Sequence, residues 1–165
     1  TKPVHAVELC QLAGKIAQFE DRFIPQQALS HGQQVQKVFG INGAKAQAQQ
    51  GFPTIVKFGL PELDKSRQTQ GNETTARVDA LLAMMTTLDD TCVLYRAGET
   101  GLARMQQGAQ EVLDLGGYST FAGQQAFNSL EQDLLRLRAS PGGVADLLAA
   151  TLFIDRVEQF YFNNK

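Results

Sequence analysis

The chain has 165 residues with a formal charge of −2, 43% hydrophobic and 19% charged residues, the make-up of one ordinary globular domain rather than a disordered chain. Acidic and basic residues are mixed and form no basic stripe, which argues against nucleic acid as the main partner. Two cysteines, Cys10 and Cys92, are too few for a disulfide framework, and no apolar run approaches the ~18 residues of a membrane span, so a cytoplasmic protein with reduced thiols is expected.

In chain order, Leu9, Leu12, Ile16, Phe19 and Phe23 recur at steps of three and four, with Ala6, Cys10, Ala13 and Ala17 flanking them, giving one wide apolar face on a helix from about Val4 to Arg22, stopped by Pro25. Ser30 is placed to cap a short helix through Val35, Val38 and Phe39 that ends at Gly40. The alanines and glutamines of 43–52 favour helix but carry almost no large apolar residue, so that segment either faces solvent or lines a cavity. Thr54–Phe58 is the one run with strand character, yet Pro53, Gly59 and the lack of a second strand favour a short helix. Asn72 is expected to cap a helix containing Val78, Leu81, Leu82, Met85 and Leu88, which Asp89-Asp90-Thr91 would close. Thr100 would cap the next, with Leu102, Met105, Ala109, Val112 and Leu113 on one side, before a turn at Gly116-Gly117. A helix from Phe121 or Phe127 to Leu137 follows. The last carries Val144, Leu147, Leu148, Thr151, Leu152 and Val157 on one stripe, widened by Ile154 and Phe160. The expected fold is all-α, a single compact multi-helix bundle of about seven or eight helices over residues 1–165.

Two stretches could carry chemistry. Ser140-Pro141-Gly142-Gly143-Val144-Ala145-Asp146 opens the last helix with serine as N-cap and proline at the first helical position. Two glycines there each cost up to about 1 kcal/mol relative to alanine, which suits a close visitor such as a phosphate on free first-turn amides. A plain helix–helix turn is the alternative. By this reading Gly143→Val would harm ligand binding more than folding. Asp89-Asp90-Thr91 with Arg96 and Gly98 would suit a metal-bound phosphate, carboxylate to Mg²⁺ and guanidinium to phosphoryl oxygens; the alternative is a solvated helix end. Adjacent carboxylates point to different sides, so at most one of Asp89 and Asp90 faces a core or site. Lys45 is a further anion contact or simply solvated. His5 and His31 have no neighbours that would make them catalytic, and no P-loop, dinucleotide or nucleophile-elbow motif is present.

Together, Ser140–Ala149, Leu88–Gly98 and the segment Phe39–Lys45 with Gln50–Thr54 resemble the C-terminal part of the triphosphoribosyl-dephospho-CoA synthase family (CitG/MdcB type), in matching order and spacing from about residue 4 to 155. The resemblance implies a transferase that joins ATP to 3′-dephospho-CoA with release of adenine. Its product would be the precursor of the prosthetic group on the acyl-carrier subunit of citrate lyase or malonate decarboxylase. It implies Asp89, Asp90 and Asp146 for charge or metal work, Asp90 and Asp146 as Mg²⁺ ligands, and Lys45, Thr91, Arg96, Gly98, Ser140, Gly142 and Gly143 for phosphate and nucleotide. The chain departs from the family where Arg-Gly-Glu-Ala-Glu-Ser-Gly becomes Lys45-Ala46-Gln47-Ala48-Gln49-Gln50-Gly51. Gln47 and Gln49 thus replace carboxylates and cannot act as bases, and a lysine replaces an arginine's bidentate grip. Cys92 and Tyr95 replace the family's Asn and His. The family's upstream Thr-His-Lys-Gly motif and half-domain have no counterpart here, so the chain is expected to be the C-terminal part of a longer synthase-like protein. A catalytically inactive domain that still binds nucleotide or a partner, and a homodimer that covers an apolar face, are the alternatives.

Overall fold

The computed structural model describes residues 5–19, 31–41, 43–70 and 72–163. Within them the chain forms eight α-helices and no strand: α1 Ala6–Ile16, α2 His31–Phe39, α3 Ala44–Gln49, α4 Leu60–Gln70, α5 Glu73–Met85, α6 Thr91–Asp114, α7 Phe121–Arg136 and α8 Gly142–Asn163. This is the all-α architecture read from the periodicity. The α4/α5 and α6/α7 pairs pack as neighbours, α2 lies on α6, and α1 rests on α3 and α8. Leu82 and Met84 of α5, Met105 and Val112 of α6, Leu130 of α7 and Val144 of α8 are all essentially inaccessible and form one core.

Local signals explain most boundaries. Asn72 caps α5 by accepting from the Thr74 and Thr75 amides at 2.9 and 3.3 Å, and Thr120 caps α7 by accepting from the Gly123 amide. Gly40, at φ +69°, stops α2 in the left-handed region. Ser30, Phe23 and Pro25 lie outside the described residues.

Thr54–Phe58 is helical, but Ile55–Gly59 winds as one wide π-type turn into α4. Pro61 has no amide to give to the carbonyl four residues back and its ring crowds that carbonyl, so widening the turn relieves the clash. Gly59 is required there, because a Cβ would lie 2.9 Å from both Met84 Sδ and Thr151 Oγ1.

Three expectations are corrected. The apolar helix α5 ends at Met85, and Asp90 opens the next helix rather than closing that one. Helix α6 therefore starts at Thr91, not after Thr100; the break sensed near Thr100 is Gly98, whose φ of 62° and ψ of −163° interrupt the helix. Helix α1 ends at Ile16, short of Arg22, and buries only the small-residue edge of its wide apolar face: Ala6, Cys10 and Gly14 are inside with Leu9 packed partly against the core, while Leu12, Ile16 and Phe19 face out. The physical reason is proximity. A Cβ on Gly14 would sit 3.2 Å from the Ala48 carbonyl oxygen, so only a face of small residues lets α1 approach α3.

Candidate functional site

The three segments that carry the family resemblance converge at one corner. Helix α3 contributes Gln47, the loop after α5 contributes Asp89 and Asp90, the start of α6 contributes Thr91, and the first turns of α8 contribute Gly143 and Asp146. These six line one cavity of about 100 Å³, floored by Phe52, Leu88 and Leu147. A wider depression of about 320 Å³ adjoins it over Gly40, Ile41 and Thr87, sharing Gln47, Leu88 and Asp89. The inner cavity alone falls below the ~300 Å³ of a typical small-molecule pocket. The two together form a cleft with an acidic inner end.

Asp90 is the hub. It is 1% exposed, and its Oδ1 accepts from the Cys92 and Val93 amides at 2.8 and 3.2 Å, capping α6. Its Oδ2 accepts from the Val144 amide of α8 at 2.9 Å. One carboxylate thus caps two helices 54 residues apart, placed where both macrodipoles favour negative charge. Its neighbour Asp89 is exposed, yet both acids line the cavity, so the expectation that at most one of them faces a core or site does not hold.

This corrects the reading of the cap, which was expected at Ser140. Helix α8 starts at Gly142, its first helical bond running from the Ala145 amide to the Pro141 carbonyl, and its cap is Asp90 rather than the exposed Ser140. The Gly142 amide donates to the Ser140 carbonyl and the Val144 amide to Asp90. The glycines are small because α6 comes close: a Cβ on Gly143 would lie 3.1 Å from Asp90 Oδ2, and one on Gly142 3.0 Å from Cys92 Sγ. Partial burial, then the charge of Asp90, push the Cys92 thiol up, against the lowering effects of the Gly143 amide and Arg96.

The remaining predicted residues divide. Arg96 and Asp146 are both exposed; Asp146 lines the cavity and Arg96 does not. Gly98 serves the break in α6 and has nothing within 4 Å of a built Cβ. Tyr95 is exposed on α6 and does not line the cavity. The Lys45 side chain lies outside the described residues. The two glutamines part company: Gln47 Oε1 accepts from the Thr54 amide at the cleft wall, whereas Gln49 turns away and donates from Nε2 to the Ala17 carbonyl at the end of α1. Sequence reasoning missed Phe52, Leu88 and Leu147 as cavity floor, since nothing in the sequence separates an apolar residue that lines a cavity from one that fills the core.

The set is a poor resident metal centre. Asp90 already accepts three amides, and among the described residues no group of three His, Cys, Asp or Glu side chains is placed to hold a metal ion. Mg²⁺ is ordinarily held by one or two carboxylates plus substrate phosphates, which leaves Asp89 and Asp146 as the side chains that could touch an ion brought in with a nucleotide. No helix among the described residues is long and apolar enough to cross a membrane.

A family model described as ATP:dephospho-CoA triphosphoribosyl transferase matches residues 4–164. The chain is 57% identical over 150 residues to a probable 2-(5''-triphosphoribosyl)-3'-dephosphocoenzyme-A synthase of Pseudomonas syringae pv. syringae (strain B728a), covering 91% of this chain and 51% of that one. Proteins of the same name from Pseudomonas fluorescens (strain Pf0-1) and Azotobacter vinelandii are each 51% identical, over 159 and 146 residues. Those matches take in 96% and 88% of this chain, and 54% and 50% of the relatives. The chain thus spans about half the length of the curated relatives it matches. No solved structure matches it.

Proposed function

The chain belongs to the family of ATP:dephospho-CoA triphosphoribosyl transferases, and on that premise we propose that its cleft takes part in joining ATP to 3′-dephospho-CoA. In this reading the 2′-hydroxyl of the dephospho-CoA ribose attacks C1 of the ATP ribose. The new O–C1 bond forms as the C1–N bond to adenine breaks, and the hydroxyl proton leaves to a base. The product would serve as precursor of the prosthetic group on the carrier subunit of a citrate lyase or malonate decarboxylase. The observation that carries the reading is the convergence of Gln47, Asp89, Thr91 and Asp146 on one cleft from three separate segments.

The chain's own residues suggest a division of labour. Asp90 is a positioning residue that fixes α6 and α8. Asp89 and Asp146, still able to accept, would stabilise positive charge developing at C1 and meet the Mg²⁺ that accompanies the triphosphate. Thr91 and Arg96 would hold phosphoryl oxygens, the latter as a fork. A second reading, a domain that binds nucleotide without turning it over, is favoured by Gln47, an amide where the family resemblance implies a carboxylate.

Incubation with ATP, dephospho-CoA and Mg²⁺ while following free adenine separates the two. The transferase reading expects adenine release that falls about tenfold or more in Asp146→Asn. The binding reading expects no adenine but a thermal shift with MgATP, worth about 2.7 kcal/mol at a hundred times Kd, with turnover appearing in Gln47→Glu. Neither adenine nor a shift would remove both.

A further inference from the structure

Helix α1 presents its bulk to solvent. Leu12, Ile16 and Phe19 stand at i, i+4 and i+7, one stripe of a helix and the turn that follows it, and are 57%, 63% and 77% exposed. Single exposed apolar side chains are ordinary on a protein surface, but a contiguous apolar strip marks an interaction site. The small-residue edge, Ala6, Cys10 and Gly14, is spent on α3 and α8, so α1 has one small face for this chain and one large apolar face for something else. Its partner α3 carries Gln47, so whatever covers the stripe lies one helix away from the cleft.

We propose that this stripe docks a segment equivalent to the half of the relatives' length that the match leaves out. The relatives carry about as many residues again as the matched region, which is 50–54% of their length. A helix that is apolar on both faces is what a bundle has where it continues into further helices. The inference rests on membership of the family and not on the transfer reaction, so it stands or falls apart from it.

The test is to co-express this chain with the half of the Pseudomonas syringae relative that the match leaves out. The docking reading expects a 1:1 complex in which Phe19 is protected from hydroxyl-radical oxidation. A Leu12→Glu/Ile16→Glu/Phe19→Glu variant should lower recovery of the complex at least tenfold, with the melting of the chain alone unchanged. Leu135→Glu, an equally exposed apolar position on α7, should leave it intact. No complex, a complex indifferent to the triple substitution, or full oxidation of Phe19 within it overturns the proposal. So does a homodimer of this chain broken by the same three substitutions, since the occupant would then be a second copy.

Discussion

At the scale of single residues, Asp90 decides how the site should respond to mutation. Asn at position 90 keeps one acceptor but turns an amide donor toward an amide donor of Cys92 or Val144. A buried donor without a partner costs about 1–3 kcal/mol, so Asp90→Asn should lower stability by that amount in chemical denaturation with no nucleotide present. A variant that melts like the parent would mean the double cap carries little energy. The same geometry reverses the expectation for Gly143→Val: the added side chain runs into the Asp90 carboxylate, so the loss should appear first in folding. Gly98 is a separate case. Its φ and ψ lie in a region that is essentially glycine's alone, and no neighbour crowds it. Gly98→Ala should therefore cost about 1–3 kcal/mol from backbone strain alone, read as a shift in the denaturation midpoint without loss of slope.

Among elements, two contacts hold the outer helices. The first joins α3 to α1 through the Gln49 amide, which donates to the Ala17 carbonyl, and through Gln18, which donates back to the Gln49 carbonyl. A carboxylate cannot make the first bond. Gln49→Glu should loosen α1, seen as faster amide exchange there, whereas Gln47→Glu keeps an acceptor for the Thr54 amide and should leave exchange unchanged. The second is the Arg67 fork, which donates to Glu73 and Asp155 and so ties α4 to α5 and α8. Arg67 first, and Arg77 beside it, hold the Glu73 carboxyl down from 4.5 to about 2 against some desolvation. Because its folded value is the lower one, the stabilisation is present above about pH 4.5 and is lost as pH falls toward 2. Glu73 is 43% exposed, so solvent screening keeps its worth below about 1 kcal/mol. Glu73→Gln should melt slightly lower than the parent at pH 7, and the two curves should merge near pH 2. A gap of constant size across that range would contradict the ion-pair account.

For the molecule as a whole, the helical class was legible in the sequence because 3.6-residue periodicity and caps are local. Asn72 and Gly40 announce a helix start and a helix stop whatever packs around them, and Met105, Ala109 and Val112 share one face by spacing alone. Gln47, Asp89, Thr91 and Asp146 were marked by the family resemblance, and only the fold brings them to one corner. What spacing could not supply was which groups satisfy one another across the chain. A carboxylate at 90 that reaches an amide at 144 leaves no trace in either segment, so two glycines that admit a neighbouring helix read like two glycines that admit a phosphate. Likewise, periodicity ranks the faces of α1 by hydrophobicity, but close approach to the backbone of α3 selects the face with the smallest side chains. Local conformational preference fixed the helices; their mutual distances, set by packing and by the need to pair every buried amide, decided which side of each helix and which hydrogen-bonding group was left to meet a ligand or a partner.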